Sequence, residues 1–597
     1  MPTQGGVGQE EYVLLAAGSN AKGQLGIGSM DDAHVWTPTL CASPSVSSST
    51  KAEQAFPPLG SRVIQLVGGA NHSLALVEAL ESQSGEMLRE VWVSGDAGAW
   101  QLGPELALGE GAQAVCAFTR LEIAGLIDGL EAGRAGDSDG ARKEGRRRRR
   151  PKLVAAGWES SYLVLGDAQN GDKGEQEDDI LIGLGCNNDF GQLGIDEARQ
   201  DQSRNRSGVQ VVDLRSTLQS YVSSADDALE VRLGRIAVVE LSAGVRHVVA
   251  VVHIENGDGA ASPASDGASS STSRFKSMTT TTTFLVGWGA ARHGQLASLE
   301  ASSSAAGPEV KHPRSYATPR VLAAWPGVRK VEVRCGREHS VVLLAEAEAA
   351  NDADATSAQD GQSKGPRRRT MLTLGSNRLG QSPFPPRQGS AIPPPTATEA
   401  DADVVAVAAM WSTTLALSSK RSANNGPPSA ILAWGAASHG QAGVAGPGPT
   451  ASGEPVELAR MLGRDGKGQE EGHRRLLCLV AGSEHALAIV ERGGGGGDDE
   501  GREGEELDGR GLERELWGWG WTEHGNLPID GEVNTQGLAD GKEEVRHSPA
   551  RLWPPSSSSS SSSSLLQPDL GLYVDDVDVD AAWAGCATTF LQLKRHR

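Results

Sequence analysis

Short apolar runs of four to seven residues recur along the chain, separated by glycine and polar residues. The runs are too short for helices and are rich in Val, Ile and Leu, so they predict β-strands. In one recurring unit, such a run ends in glycine and is followed by polar residues and often by Gly-Gln-Leu-Gly. Seven copies of this unit begin at Val13, Val91, Ile180, Phe284, Met371, Ile431 and Leu516.

A second unit alternates with the first and consists of two apolar runs around a turn of the Gly-x-x-His type. Its seven copies begin at Val63, Leu153, Val238, Val331, Val404, Leu476 and Val577. Small residues alternate with larger ones in these runs, which is typical of sheets that pack face to face. One such sheet cannot cover both of its faces, whereas a ring of sheets can. Seven repeats of about four strands each therefore predict an all-β fold, a seven-bladed β-propeller.

The ends of the chain predict how this ring closes. The chain begins with the first unit, at Tyr12–Gly28, and ends with an apolar pair of the second unit, at Val577–Leu593. Each of these is half a blade, and two unpaired strand edges would be exposed to aggregation. We therefore predict that Tyr12–Ala17 pairs in antiparallel fashion with Thr589–Leu593, so that the two halves form the seventh blade. The glycine that ends each copy of the first unit is predicted to allow a tight reversal that a side chain would obstruct.

The two units together resemble the repeat of the regulator of chromosome condensation family. In that repeat, a Gly-x-x-His turn between apolar strands is followed by Trp-Gly-x-Asn-x-x-Gly-Gln-Leu-Gly. The best matches are Gly482–His485 with Ala486–Val490, and Trp288–Gly289 with Gly294–Leu296. The resemblance extends over residues 12–593 and implies one propeller domain. Its implication for function is broad, because the family includes exchange factors, ligase modules and scaffolds.

The repeats are longer than those of this family, and the additional length lies in inserts that are mostly rich in Gly, Ser, Pro, Asp and Glu. Such segments bury too little apolar surface to fold by themselves, so we predict flexible loops on the rims of the disc. The alternative, small extra domains, would require a helical or strand periodicity that the inserts lack. The predicted inserts are Gly133–Arg150, Glu255–Thr282, Glu346–Arg369, Gln388–Asp403, Gly446–Gly472, Glu491–Arg510 and Ser556–Ser564.

Composition narrows the function classes. The chain has 76 glycines and 29 prolines among 597 residues, which favours turns over long helices. Its 55 Lys and Arg against 76 Asp and Glu leave a net charge of −21, which disfavours direct nucleic-acid binding. The six cysteines form no C-x-x-C pair, so we expect neither a zinc site nor a disulfide framework, and a reducing compartment. Because the apolar runs have strand length, we also expect no membrane span.

No catalytic set is evident, so we expect no enzyme activity, no metal and no cofactor. The chain has no H-E-x-x-H, no complete G-x-x-x-x-G-K-[ST] and no G-x-G-x-x-G at a strand–helix turn. Two sets of histidines do recur in the turns, and the members of each set lie on different blades. We interpret them as residues that cap backbone groups, rather than as metal ligands or catalytic groups. The two sets are His293, His439 and His524 in the first unit, and His72, His247, His339 and His485 in the second.

One compact basic cluster consists of Arg146, Arg147, Arg148, Arg149, Arg150 and Lys152. Such a cluster is typical of a nuclear import signal or of a weak nucleic-acid contact. A solvated loop whose charge is offset by nearby acids is the alternative interpretation. We therefore expect a cytoplasmic protein, which also enters the nucleus if the cluster acts as an import signal.

Three tryptophans lie within five residues of the final repeat, at Trp517, Trp519 and Trp521, and Glu523 and His524 follow them. Trp519 aligns with tryptophans of other repeats, which favours packing in the core. Trp521 aligns with no other tryptophan, and both packing and an exposed anchor for a partner fit it. We predict a partner-binding site formed by Trp519, Trp521, Glu523 and His524.

The same segment, Trp-Gly-Trp-x-Glu-His-Gly-Asn, resembles the fungal alpha-tubulin suppressor branch of the family. Members of that branch are regulatory partners of a small zinc-binding protein, which serves Elongator-dependent modification of tRNA wobble uridines and diphthamide synthesis. The resemblance implies a non-enzymatic scaffold that binds such a protein. The alternative is a guanine-nucleotide exchange factor for a Ran-like small GTPase. The acidic segment Met1–Glu11 lacks the basic tail that an exchange factor working on chromatin usually needs.

Overall fold

The structure is a computed structural model, and the part of the chain that it describes excludes the central portion of every predicted insert. Strands continue one or two residues into several inserts, at Arg149, Glu255, Thr282, Arg369 and Arg492. The described residues are 10–42, 53–80, 87–107, 114–127, 149–167, 177–195, 208–224, 233–255, 281–299, 312–328, 330–345, 369–382, 404–418, 430–443, 474–492, 513–528, 545–554, 565–567, 572–573 and 576–596.

Most of these residues lie in strands, as the short apolar runs predict. The strands are β1 (Glu11–Gly18), β2 (Ala33–Pro38), β3 (Leu40–Ala42), β4 (Glu53–Ala55), β5 (Ser61–Gly68), β6 (His72–Leu80), β7 (Met87–Gly95), β8 (Val115–Arg120), β9 (Arg149–Ala156), β10 (Ser161–Asp167), β11 (Ile180–Leu184), β12 (Val209–Val211), β13 (Arg235–Ala243), β14 (His247–Glu255), β15 (Thr282–Ala290), β16 (Ser315–Pro326), β17 (Lys330–Cys335), β18 (His339–Ala345), β19 (Arg369–Gly375), β20 (Val404–Ala409), β21 (Thr413–Ser418), β22 (Ala430–Gly435), β23 (Arg474–Ala481), β24 (His485–Arg492), β25 (Glu513–Trp521), β26 (Val545–Trp553), β27 (Leu565–Gln567), β28 (Leu572–Tyr573), β29 (Val577–Ala584) and β30 (Thr588–Arg595).

Seven antiparallel sheets form the blades of the propeller, which confirms the predicted fold. Blade 1 is β5-β6-β7-β8, blade 2 is β9-β10-β11-β12 and blade 3 is β13-β14-β15-β16. Blade 4 is β17-β18-β19, blade 5 is β20-β21-β22 and blade 6 is β23-β24-β25-β26. Blade 7 has the order β2-β1-β30-β29 and so combines both ends of the chain. Two short strands, β3 and β4, extend blade 1, and β27 pairs with β28.

The predicted closure of the ring is confirmed residue by residue. Strand β1 runs antiparallel to β30 along its whole length, from Glu11 opposite Arg595 to Gly18 opposite Thr588. The other edge of β30 pairs with β29. Because β30 has a partner on both sides, the ring has no free edge at the point where the chain begins and ends.

Seven hydrophobic clusters of described residues hold the ring together, one at each contact between neighbouring blades. The cluster between blades 2 and 3 contains Tyr162 and Trp288, both fully buried, with ring centroids 6.3 Å apart. Full burial of one large apolar side chain contributes about 1.5–3 kcal/mol. The blades are therefore held mainly by their neighbours, since each sheet alone would expose both apolar faces.

The glycines that end the third strand of each blade occupy the conformation that the sequence predicts. All seven have a positive φ, between 97° and 147°. A Cβ on Gly520 would lie 2.4 Å from the carbonyl oxygen of Glu484, so a side chain has no room there. The set is Gly18, Gly95, Gly185, Gly289, Gly375, Gly435 and Gly520.

The described part contains three helical segments that were not predicted: α1 (Pro104–Ala107), a short one at residues 123–127, and α2 (Leu214–Ser224). Helix α2 begins after Asp213, whose Oδ1 accepts the backbone N–H of Ser216 at 3.0 Å. Leu214 and Leu218, four residues apart, are buried against blades 2 and 3. The cap and this spacing were present in the sequence, but the β-rich repeats on either side obscured so short a helix.

Replacing residues 257–280 with a short Gly-Ser turn should leave the melting temperature within a few degrees of that of the full chain. Ile254 already pairs with Thr282 in the ladder between β14 and β15, so a short connection closes this hairpin. The cost of loop closure changes only slowly with loop length. Thermal unfolding followed by circular dichroism measures the effect. Insoluble protein, or a large drop in melting temperature, would show that this insert packs on the disc.

Candidate protein-binding face

Both recurring turns lie at the same end of the blades, which we call the turn face. The first residue of the second strand pairs with the glycine that ends the third strand. His72 thus lies opposite Gly95, and His485 lies opposite Gly520. The Gly-x-x-His turns surround the central channel here, and the Gly-Gln-Leu-Gly turns lie farther out.

The histidines of the Gly-x-x-His turns join neighbouring blades. The Nε2 atom of each lies within 2.9–3.2 Å of a Ser or Thr hydroxyl on the following blade. Three of them, His72, His247 and His485, also have a backbone hydrogen-bond contact on the following blade, so their role is structural, as the sequence predicts. The pairs are His72 with Ser161, His247 with Ser340, His339 with Thr414, and His485 with Thr589.

The hydrogen bonds around these histidines define their protonation. The hydroxyl of Thr589 donates to the carbonyl oxygen of Asn526 at 2.6 Å, so His485 must donate from Nε2. Ser340 donates to Gln295 in the same way and fixes the same tautomer for His247. Burial lowers the pKa of His72, His339 and His485 to about 4 and that of His247 to about 3. All four imidazoles are therefore neutral at pH 7.

The histidines before the glycine of the other turn contact carboxylates instead. His439 Nδ1 lies 2.9 Å from Glu484 Oε2, and His293 Nε2 lies 3.4 Å from Glu338 Oε1. Each acid belongs to the following blade, so these contacts also bridge blades. Their side chains do not cap the turn, contrary to the sequence-based interpretation. The cap comes from the glutamine two residues on, as where Gln441 Oε1 accepts the backbone N–H of His439 at 2.9 Å.

The predicted partner-binding residues divide into one core residue and three surface residues. Trp519 is completely buried, and its indole N–H donates to the carbonyl oxygen of Gln441 at 3.1 Å. It is therefore a core residue and has no surface to offer a partner. Trp521 is half-buried on the turn face, where its ring stacks on His439 of blade 5 with centroids 5.2 Å apart.

His524 lies between two carboxylates on the same face. Its Nδ1 atom is 2.9 Å from Asp32 Oδ2 of blade 7, and its Nε2 atom is 3.9 Å from Glu523 Oε2. The side chains of His524 and Glu523 are 38% and 44% exposed, so a partner can reach both. Trp521, Glu523, His524 and Asp32 therefore form a mixed aromatic and acidic surface, which we call the tryptophan site.

The basic cluster is divided by the start of blade 2. Arg146, Arg147 and Arg148 lie outside the described residues, whereas Arg149, Arg150 and Lys152 belong to β9. Arg149 forms an ion pair with Glu177, and Lys152 Nζ lies 2.8 Å from the buried Asp179. The prediction that this insert runs to Arg150 is corrected here. The end of the cluster is a strand with acidic partners.

The seven Gly-x-x-His turns enclose a cavity of about 390 Å³ at the centre of the disc. Trp158 of blade 2 and Trp411 of blade 5 meet across it with ring centroids 5.5 Å apart. Three of the six free cysteines, Cys335, Cys478 and Cys586, line the cavity. Burial raises the pKa of Cys335 and of Cys586 to about 11, so neither thiol is a nucleophile at neutral pH.

The described residues were searched for metal-binding groups and for membrane-spanning helices. They contain no group of three or more His, Cys, Asp or Glu side chains that could hold a metal ion. No helix among them is both long and apolar enough to cross a membrane. The surface groups of the turn face are half-exposed ion pairs and aromatic side chains, which suit recognition of another molecule.

Sequence reasoning missed two residues of the tryptophan site and its neighbourhood. Asp32 follows the Gly-Gln-Leu-Gly turn of the first repeat and reaches His524 from the opposite end of the chain. Glu484 is the residue before the turn histidine, and it holds His439 beneath Trp521. A signal for the second contact was present in the sequence. Two repeats have a histidine before the turn glycine, His293 and His439, and in each case the next repeat has a Glu directly before its own turn histidine, Glu338 and Glu484.

No protein-family model matches the chain, and no curated protein matches its sequence. Among solved structures, human WBSCR16 is similar at 13% identity, covering 98% of this chain and 99% of that chain with a TM-score of 0.46. Prp20p from Saccharomyces cerevisiae, studied with its binding to Gsp1p and histones, is 12% identical and covers 98% of this chain and 92% of that chain, with a TM-score of 0.47. Yeast RCC1 (Prp20) bound to Kap60 gives 12% identity, 98% and 90% coverage and a TM-score of 0.49. These similarities concern the fold.

Proposed function

We propose that this propeller is a non-enzymatic scaffold that binds a regulatory protein through the tryptophan site. The observation that carries the proposal is the combination of a half-buried Trp521 with reachable charged groups drawn from two blades. Trp521 rests on His439, and His524 is held by Asp32, so the surface is ordered before a partner arrives. Binding then costs little side-chain entropy.

The chemistry of the site favours a partner with basic side chains. Glu523 and Asp32 are 44% and 29% exposed, and Asp31 beside them is exposed as well. An aromatic ring next to carboxylates suits Lys or Arg, which can stack on the ring and pair with the acid. The ordered contacts between blades 5, 6 and 7 allow the site to act as one surface.

The finer form of the proposal is that the partner is a small zinc-binding protein of the Elongator and diphthamide pathways. It rests on the resemblance of Trp519–Asn526 to the fungal alpha-tubulin suppressor branch. In this form the chain is a cytoplasmic regulatory subunit, which enters the nucleus if its basic cluster acts as an import signal. A Ran-like small GTPase is the competing partner, and its capture would support an exchange factor instead.

The double variant Trp521→Ala/His524→Ala should lose the partner and keep the fold. Exposed anchors cost about 2 kcal/mol or more of binding free energy when truncated, which is about thirtyfold in affinity. Affinity purification of the full chain followed by mass spectrometry identifies the partner. Binding of the purified partner to each variant is then measured by calorimetry.

Two matched variants separate recognition from packing. Trp521→Phe keeps an aromatic ring on His439, so it should retain most of the affinity. His293→Ala removes the same kind of inter-blade acid contact as His524→Ala, but on blade 3, and should leave binding unchanged. Recovery of a zinc protein with Elongator subunits, lost only in the double variant, would support the finer form. A double variant that unfolds at much lower denaturant, while its folded fraction binds normally, would refute the site.

A further inference from the structure

A second part of the turn face carries five exposed arginines, although the chain has a net charge of −21. All five belong to blades 3 and 4, at turns or at the start of the outer strand. They lie on the opposite side of blade 5 from the tryptophan site. We call them the arginine sector, which consists of Arg246, Arg292, Arg314, Arg337 and Arg378.

Backbone hydrogen bonds bring the members of blade 3 together. Ala290 N–H donates to the carbonyl oxygen of Arg246 at 2.7 Å, and Ala291 N–H donates to that of Arg314 at 3.0 Å. Since Arg292 follows directly, three arginines meet at one corner of the blade. The guanidinium groups of Arg246 and Arg314 lie 4.5 and 5.0 Å from the centre of the Phe190 ring.

The two arginines of blade 4 are adjacent to this corner. Ser376 N–H donates to the carbonyl oxygen of Glu338 at 2.9 Å, which places Arg337 beside the turn that carries Arg378. The contact of His293 with Glu338 joins this turn to that of blade 3. The five arginines therefore form one continuous surface over two blades.

None of the five forms an ion pair with a carboxylate among the described residues. Among the described acids, Asp189 is adjacent in the chain to Phe190, and Glu338 faces His293. Other exposed arginines of the described part do have acidic partners, as where Arg215 pairs with Asp178 at 2.6 Å and Arg62 with Glu78 at 3.0 Å. A cluster of like charges without counter-charges raises the energy of the isolated protein, and an anionic ligand would lower it.

Apolar surface accompanies these charges. Leu379, next to Arg378, is 41% exposed. Arginine is enriched among the residues that dominate protein interfaces. A guanidinium also binds a carboxylate through two parallel hydrogen bonds, which an ammonium cannot do.

We propose that the arginine sector binds an acidic polypeptide segment, a run of Asp and Glu side chains on a partner protein. A polypeptide is favoured over nucleic acid because the strongly acidic remainder of the chain would repel a long phosphate backbone. An acidic segment can instead occupy the sector locally, with its backbone against Leu379. The surface is separate from the tryptophan site, so it stands whether or not that site binds the proposed partner.

The test measures binding of a fluorescein-labelled oligoglutamate peptide to the full chain by fluorescence anisotropy at low and physiological salt. The chain should bind this peptide in a salt-dependent way and should not bind oligolysine through these residues. The triple variant Arg246→Gln/Arg292→Gln/Arg337→Gln should weaken binding at least about tenfold. The corresponding triple lysine variant keeps the three positive charges and loses the paired N–H groups of the guanidinium. Its affinity for the peptide should therefore lie between those of the full chain and the glutamine variant.

The matched control is Arg62→Gln/Arg120→Gln/Arg215→Gln, which removes three positive charges from outside the turn face. Its affinity for oligoglutamate should change less than about twofold, because long-range charge alone is screened by salt. Both triple variants must retain the thermal unfolding curve of the full chain. Equal weakening by the two triple variants, or no binding of the peptide at low salt, would overturn the proposal. Tighter binding of a single-stranded oligonucleotide through the same three arginines would assign the sector to nucleic acid and overturn it as well.

Discussion

Deletion of Thr588–Arg597 should abolish cooperative folding of the whole ring, although it removes only the last strand. The side chains of Phe590, Leu591 and Leu593 are completely buried between blades 6, 7 and 1. Their loss removes about 5–9 kcal/mol of burial free energy, at about 1.5–3 kcal/mol each. That amount is comparable to the whole stability of a typical domain, about 5–15 kcal/mol.

The deletion also breaks contacts that join blade 7 to blade 1. Gln592 is fully buried, and its Oε1 accepts the backbone N–H of Val63 at 2.8 Å while its Nε2 donates to Asp580 Oδ2 at 2.7 Å. Without β30, strand β1 has no partner on that edge and β29 loses its only strand neighbour in the blade. We expect insoluble protein or a broad, non-cooperative transition in urea, measured by tryptophan fluorescence.

A circular permutant is the matched control, because it retains β30 and only moves the chain ends. Glu11 lies opposite Arg595, so a short linker can join the two ends. New ends placed within residues 388–403 leave every described strand intact. This permutant should unfold in one transition near that of the natural chain. A truncated chain that melts like the full chain would contradict the closure, because a frayed end contributes almost nothing.

The fold could be predicted from the sequence because its determinants are local and repeated. The length of the apolar runs predicted the strands. The position of the glycines at the ends of these runs predicted their tight reversals, and all of them have a positive φ in the structure. The closure followed from counting half-blades at the two ends. Helix α2 was missed because one capped helix of 11 residues interrupts a pattern of strands.

The site was less predictable, because its contacts join residues that are distant in the chain. His524 and Asp32 are 492 residues apart, and only the closed ring brings them together. The same reason hides the arginine sector, whose members lie in four turns and at the start of one strand and are brought together by hydrogen bonds between these segments. Alignment with other repeats predicted Trp519 in the core, although it was also included in the predicted partner site, and its full burial confirms the core.

Mild acid should destabilise the propeller strongly, because four buried histidines are neutral when folded. Their pKa is lowered to about 4 for His72, His339 and His485 and to about 3 for His247, from 6.5. The unfolded chain therefore binds more protons than the folded chain below about pH 6.5. The stabilisation is fully present above that pH and is lost as the pH falls towards 4. Between pH 7.5 and 5.5 the loss is about 1.3 kcal/mol for each histidine, or about 5 kcal/mol for the four.

The physical cause is burial, which takes the charged imidazolium out of water and so favours the neutral ring in the folded chain. In His247 the neutral ring donates from Nε2 to Ser340, whose own hydroxyl donates to Gln295. Urea unfolding at about pH 7.5 and about pH 5.5 measures the effect as a change in the free energy of unfolding.

The variant His485→Gln tests whether the histidines themselves carry this dependence. Glutamine does not titrate and can still donate to Thr589. In the variant, unfolding at acid pH should therefore take up about one proton fewer, which makes the dependence of the unfolding free energy on pH less steep. The variant will be less stable than the full chain at pH 7.5, but the difference should shrink at pH 5.5. The matched control His524→Gln removes a surface histidine that pairs with Asp32 and should keep the steep slope. Equal stability of the full chain at both pH values, or the same slope in His485→Gln as in the full chain, would show that the buried rings do not control acid unfolding.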